Sequence, residues 1–213
     1  MSKRIGVLLV LLIASLVISG FSFGKDEKPK VIPLEFTPME KGYLNALNAE
    51  NSFGCHVSIP AEPGLNLRLY YDYYEGGKLV GGAGDGVSFL GELNGRIDGK
   101  VLFSFVNVPD PKDGKFMLVE AFFRKQDISD LVVGFTSSTV VLKKPDYKSI
   151  HSIKGITGVE TLELGVPKIV GALAMDKDKT YVSGDARNIA LLLENDYVYI
   201  FYIELVKKTL SHP

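Results

Sequence analysis

The chain has 213 residues, 46% of them hydrophobic and 23% charged, with a formal net charge of −1. That composition is globular rather than disordered and the length suits one domain. The near-zero charge speaks against a protein that grips phosphate backbones. One cysteine, Cys55, rules out an intramolecular disulfide and a thiolate zinc cage.

Residues 1–24 read as an export leader. Lys3 and Arg4 precede the apolar run Ile5–Ile18, and Ser22-Phe23-Gly24 offers a small-x-small cleavage site. Left uncleaved, residues 5–24 are long enough to cross a bilayer, so the leader is either a signal peptide or an anchor. Both place the rest of the chain outside the cytoplasmic membrane: secreted, periplasmic or on the cell surface. Residues 25–30 (KDEKPK) form a charged linker, and residues 31–213 are expected to fold as a single β-sandwich domain.

Val31–Phe36 reads as an edge strand interrupted by Pro33. Pro38–Asn51 has Tyr43, Leu44 and Leu47 at helical spacing, weakened by Gly42. Phe53–Ile59 alternates as a strand with Phe53, Cys55, Val57 and Ile59 on one side. Cys55 is thus expected to be a small buried apolar residue. His56, pointing the other way, is badly placed to chelate beside it.

Leu65–Ala83 (LNLRLYYDYYEGGKLVGGA) is the clearest hairpin, turning at Glu75-Gly76-Gly77. Its first arm puts Leu67, Leu69, Tyr71 and Tyr73 on one face and Arg68, Tyr70, Asp72 and Tyr74 on the other. Gly81–Gly86 (GGAGDG) reads as a flexible link, without the GK[ST] ending of a phosphate loop. Val87–Leu93 is a short strand, and Asn94-Gly95 and Asp98-Gly99 are turn dipeptides. Lys100–Val108 and Lys115–Arg124 make a second hairpin about Pro109–Gly114, with Val101, Phe103 and Phe105 aligned.

Leu131–Leu142 is a further strand and Lys143–Lys154 a basic surface connection. Val159–Leu164 and Lys168–Met175 are two more runs, and Asp176–Lys179 is a charged turn followed by Thr180–Ser183. Asp185–Glu194 is expected to be helical with Asp185 as its cap. The last strand, Tyr197–Val206, is apolar on both faces and is expected at the centre of its sheet. This grammar of short strands and turns predicts an all-β, antiparallel sandwich, Ig-like or jelly-roll-like, with one or two short helices.

Catalytic motifs are missing. There is no G-x-S-x-G, the three histidines lack metal spacing, and Cys55 sits among strand residues. Asp176, Asp178 and Thr180 imitate a calcium loop, but Tyr181 stands where glycine is needed and Arg187 where glutamate is needed. No cofactor or metal is expected, and the chain reads as a non-enzyme rather than an enzyme.

The feature above background is aromatic. Tyr70 and Tyr74 share a strand face with Arg68 and Asp72, and tyrosine suits contact surfaces because it is apolar and hydrogen-bonding at once. The competing reading pairs those rings with a neighbouring strand. The sequence therefore points to an exported β-sandwich that binds a protein or cell-envelope partner through Arg68, Tyr70, Asp72 and Tyr74. A carbohydrate-binding module using the same tyrosines is the alternative, and a hydrolase with carboxylates gathered from separate strands is a third. Nucleic acid is not among the expected partners, and membrane contact is expected only through residues 5–24.

Overall fold

The computed structural model describes residues 28–46, 49, 51–60, 65–88, 96–107, 115–125, 132–142, 149–179 and 186–207. The leader, most of the charged linker, the Asn94-Gly95 and Pro109–Gly114 turns, Thr180–Ser183, Asp185 and the tail with His212 lie outside them. Eleven strands form two antiparallel sheets. They are β1 Lys30–Pro33, β2 Phe53–Pro60, β3 Leu65–Glu75, β4 Lys78–Ser88, β5 Arg96–Asn107, β6 Lys115–Lys125, β7 Val132–Leu142, β8 Ser149–Lys154, β9 Glu160–Thr161, β10 Lys168–Asp176 and β11 Tyr197–Lys207. The helices are α1 Pro38–Ala46 and α2 Ile189–Leu192.

The six-stranded sheet runs β7-β6-β5-β2-β1-β9 and the five-stranded sheet β4-β3-β11-β10-β8. Alternation decides which side chains lie between them. Phe53, Cys55, Val57 and Ile59 of β2 and Val101, Phe103 and Phe105 of β5 share one core with Leu67, Leu69 and Tyr73 of β3 and Tyr199, Phe201, Ile203 and Leu205 of β11. Phe201 is its hub, with its ring centroid 5.5 Å from Phe53, 5.1 Å from Phe103 and 5.5 Å from Phe105. Edge-to-face and tilted rings at these spacings pack with favourable quadrupole contacts. Phe53 also lies on the bare backbone of Gly171 in β10, where a Cβ would come within 2.6 Å of the ring. Glycine is required there by close approach rather than by dihedral freedom.

β1 pairs with β2 along its whole length and with the two-residue β9 only at Lys30 and Val31. Its first half is therefore interior, while Pro33, past the end of β9, is paired by β2 alone among the described residues, as its missing N–H donor suits. Asp98-Gly99 is not a turn: both residues sit in β5 opposite Ser58 and Val57. Of the expected connection Lys143–Lys154, residues 143–148 lie outside the described residues, and Ser149–Lys154 is not a connection but β8, which pairs with β10 and carries His151. The GGAGDG stretch is strand as well. Gly82, Gly84 and Gly86 pair with Asp72, Tyr70 and Arg68, making β4 the long second arm of the first hairpin. Glu75 pairs directly with Lys78, leaving Gly76 and Gly77 as a two-residue turn. Both have positive φ, 52° and 75°, as a type I′ turn demands.

α1 buries Leu44 in a small cluster with Ala49 and Phe36. Thr37 and Glu40 form a reciprocal cap: the Thr37 amide donates to Glu40 Oε2 at 2.6 Å and the Glu40 amide to Thr37 Oγ1 at 3.2 Å. Beyond it, the Ser52 and Ser104 hydroxyls meet at 2.9 Å. α2 is shorter than the ten-residue helix expected, and its cap is Asn188, whose side chain accepts from the Leu191 amide at 3.2 Å.

Candidate functional site

β3 and β11 lie side by side along their full lengths, and their register builds the site. Arg68 faces Glu204, Tyr70 faces Tyr202, Asp72 faces Ile200 and Tyr74 faces Val198. Cross-strand partners share a sheet face. All eight side chains therefore leave the five-stranded sheet on the side away from the main core. Val198, Ile200 and Tyr202 cluster there with Ala172 and Ala174 of β10 and Leu192 of α2, and Tyr70 and Tyr74 pack against that cluster. The small alanines leave room for Leu192 of α2, and Leu193, at the end of that helix, lies beside Gly77 of the β3–β4 turn. The tyrosines hold the β3 side.

The four residues singled out from the sequence are thus brought onto one face, together with two that sequence reasoning did not select. Tyr70 stacks on Tyr202, with centroids 4.8 Å apart and planes 15° from parallel. The Arg68 guanidinium carbon lies 4.7 Å from the Tyr70 centroid, and its Nη1 is 3.7 Å from Glu204 Oε2. Arg68 keeps 55% of its side-chain surface exposed against 14% for Glu204. Such a half-wet pair contributes about 0–1 kcal/mol, so its effect is more on the orientation of Arg68 than on stability. Tyr202 and Glu204 were legible as outward residues of β11 by alternation, but their pairing with Tyr70 and Arg68 depends on register. No local signal encodes that.

Tyr202 is 9% exposed. Its hydroxyl lies near the Asp72 carboxylate and the Tyr74 hydroxyl. Burial, then the neighbouring Tyr74 hydroxyl and the Asp72 carboxylate, push the Tyr202 hydroxyl well above its ordinary range. Burial raises Tyr70 and Tyr74 in the same direction. All three rings therefore stay protonated and donate at neutral pH.

On the β4 side the floor is bare. Asp72, Tyr70 and Arg68 have Gly82, Gly84 and Gly86 as their partners, so no side chain rises beside them from that strand. A Cβ built on Gly82 would stand 3.2 Å from Asp72 Oδ1, so the carboxylate lies close above this glycine. The Tyr70–Tyr202 stack agrees with the expectation that the rings would pair with a neighbouring strand. They nevertheless remain half-buried at Tyr70 and Tyr74, and Arg68 is exposed.

Asp72 and Glu204 come from separate strands, as the hydrolase alternative requires. They stand four residues apart along the ladder, about 13 Å by strand rise, whereas glycosidase carboxylates lie about 5–9.5 Å apart. Among the described residues, no three His, Cys, Asp or Glu side chains gather closely enough to hold a metal ion. Cys55 is fully buried, and desolvation alone drives its thiol far up from the usual range, which makes it a poor nucleophile. No protein-family model, curated protein or solved structure matches this chain.

Proposed function

We propose that the chain is an exported, non-enzymatic binding domain. Its outer face at Arg68, Tyr70, Asp72 and Tyr74 docks a protein or another component of the cell envelope. One observation carries this reading: the Tyr70 ring is pre-stacked on Tyr202 and flanked by an exposed Arg68 that Glu204 steadies. Tyrosine and arginine supply much of the energy at protein interfaces. Side chains already held in place lose less rotamer freedom when a partner arrives. The apolar run Ile5–Ile18 supports export. The interleaving of β3 and β4 between β2 and β5, with β5 returning to β2, favours the Ig-like over the jelly-roll-like version of the sandwich.

The test uses the full chain and an envelope fraction from its source cells. Tyr70→Ala and Arg68→Ala should each weaken retention about tenfold, which corresponds to about 1.4 kcal/mol, with an unchanged far-UV spectrum. Retention equal to the wild type in both variants would remove the face as the docking surface. A glycan reading is favoured by one observation, the side-chain-free flank of Tyr70 over Gly84. Saturable binding in a sugar titration, lost in Tyr70→Ala, would select it over a protein partner.

A further inference from the structure

Four of the described carboxylates have a lysine or arginine partner, and the half-buried Asp72 is not one of them. Glu204 has Arg68, Glu35 has Lys154 at 2.7 Å, Glu160 has Lys168 at 3.3 Å, and Asp176 has Lys179 at 2.9 Å. Among the described residues no lysine or arginine pairs with Asp72. The side chains that share its sheet face are the neutral Tyr70, Tyr74 and Tyr202. Arg68 is four residues away on the same face, about 13 Å along the strand, and is engaged by Tyr70 and Glu204. Asp72 is half-buried between Tyr70 and Tyr74 with glycine below it on the β4 side. A carboxylate set among aromatic rings, whose π faces are negative, attracts a cation and repels an anion.

We propose that Asp72, with Tyr70, Tyr74 and Tyr202 around it, is the seat for a lysine or arginine side chain presented by a protein partner. This rests on the reading of the same face as a docking surface and adds the chemistry of what docks. The occupant follows from charge complementarity. A bound cation would supply the counter-charge that Asp72 lacks, lie against rings of the correct polarity, and meet no side chain from Gly82. Arg68 over Tyr70 shows the arrangement within the chain itself: a guanidinium on a tyrosine face, held by a carboxylate from the neighbouring strand. At Asp72 the carboxylate and the rings are present and the cation comes from outside.

The experiment titrates the full chain, with its tyrosine ring resonances observed, against capped lysine, capped arginine, capped glutamate and tetramethylammonium. Saturable shifts of Tyr70, Tyr74 and Tyr202 with lysine or arginine are expected, weakened by added salt. Asp72→Asn removes the charge at nearly constant shape and should weaken this binding about fivefold, the scale of a half-exposed charge pair. Absence of saturable shifts in the wild type, or equal binding by Asp72→Asn, would overturn the proposal. Response to tetramethylammonium alone would overturn the commitment to a protein side chain. A response to glutamate instead would also overturn it. In each of these cases the envelope-retention result for Tyr70→Ala separately decides whether the face docks anything at all.

Discussion

Cys55 and His56 are neighbours in β2, and the period of a strand sends them in opposite directions. Cys55 enters the core, whereas His56 stands half-buried on the outer face opposite Lys100. Desolvation lowers the His56 pKa from 6.5 to about 4, with Lys100 adding to the fall and Glu40 opposing it. A folded value below the unfolded one means that the unfolded chain takes up the proton first. Its contribution to stability is complete above pH 6.5 and is lost as pH falls toward about 4. Urea midpoints should therefore drop between neutral pH and about pH 4, and His56→Gln should reduce the drop. An identical pH dependence in the variant would mean that other groups carry it.

At the scale of elements, local chemistry explains α1 better than hydrophobic spacing does. Tyr43 is exposed and Leu44 is the buried residue of the helix. What starts it is the T-x-x-E pattern at Thr37 and Glu40, which satisfies two end amides reciprocally. Thr37→Ala should cost about 1 kcal/mol of helix stability. Faster hydrogen exchange confined to residues 38–46, with the sheets unaffected, is the expected result. α2 shows the converse. Its leucines suggested a longer helix, but Asn188 caps it late and Leu192 is drawn onto the alanines of β10. The glycines of β4 read as a flexible link because glycine usually breaks regular structure. Here the eleven-residue β3 provides a continuous ladder, and backbone pairing holds β4 along it.

For the molecule as a whole, the two sheets are joined through Phe201. Its ring meets Phe53, Phe103 and Phe105 from the opposite sheet and Tyr71 at 5.8 Å from its own. Phe201→Ala should destabilise the fold by about 3–5 kcal/mol, because the rings around it cannot all collapse into the space. An exposed residue such as Leu79 provides the control, with Leu79→Ser expected within about 0.5 kcal/mol of the wild type. A loss at Phe201 no larger than that would mean that the sheets are held together elsewhere.

Much of this architecture is written in residue periodicity. Alternation along β2, β3 and β11 identifies strands, separates core from outward residues and marks β11 as central, because burial on both faces leaves a doubly apolar pattern. The same alternation places Arg68, Tyr70, Asp72 and Tyr74 together. Tertiary structure alone decides the register that sets Tyr202 behind Tyr70 and Glu204 beside Arg68, since residues some 130 positions apart meet only when two strands align. It also decides that Gly82 lies beside Asp72 and that, among the described residues, no lysine or arginine pairs with it. Periodicity tells each side chain which way to point; the pairing of distant strands determines what it meets there.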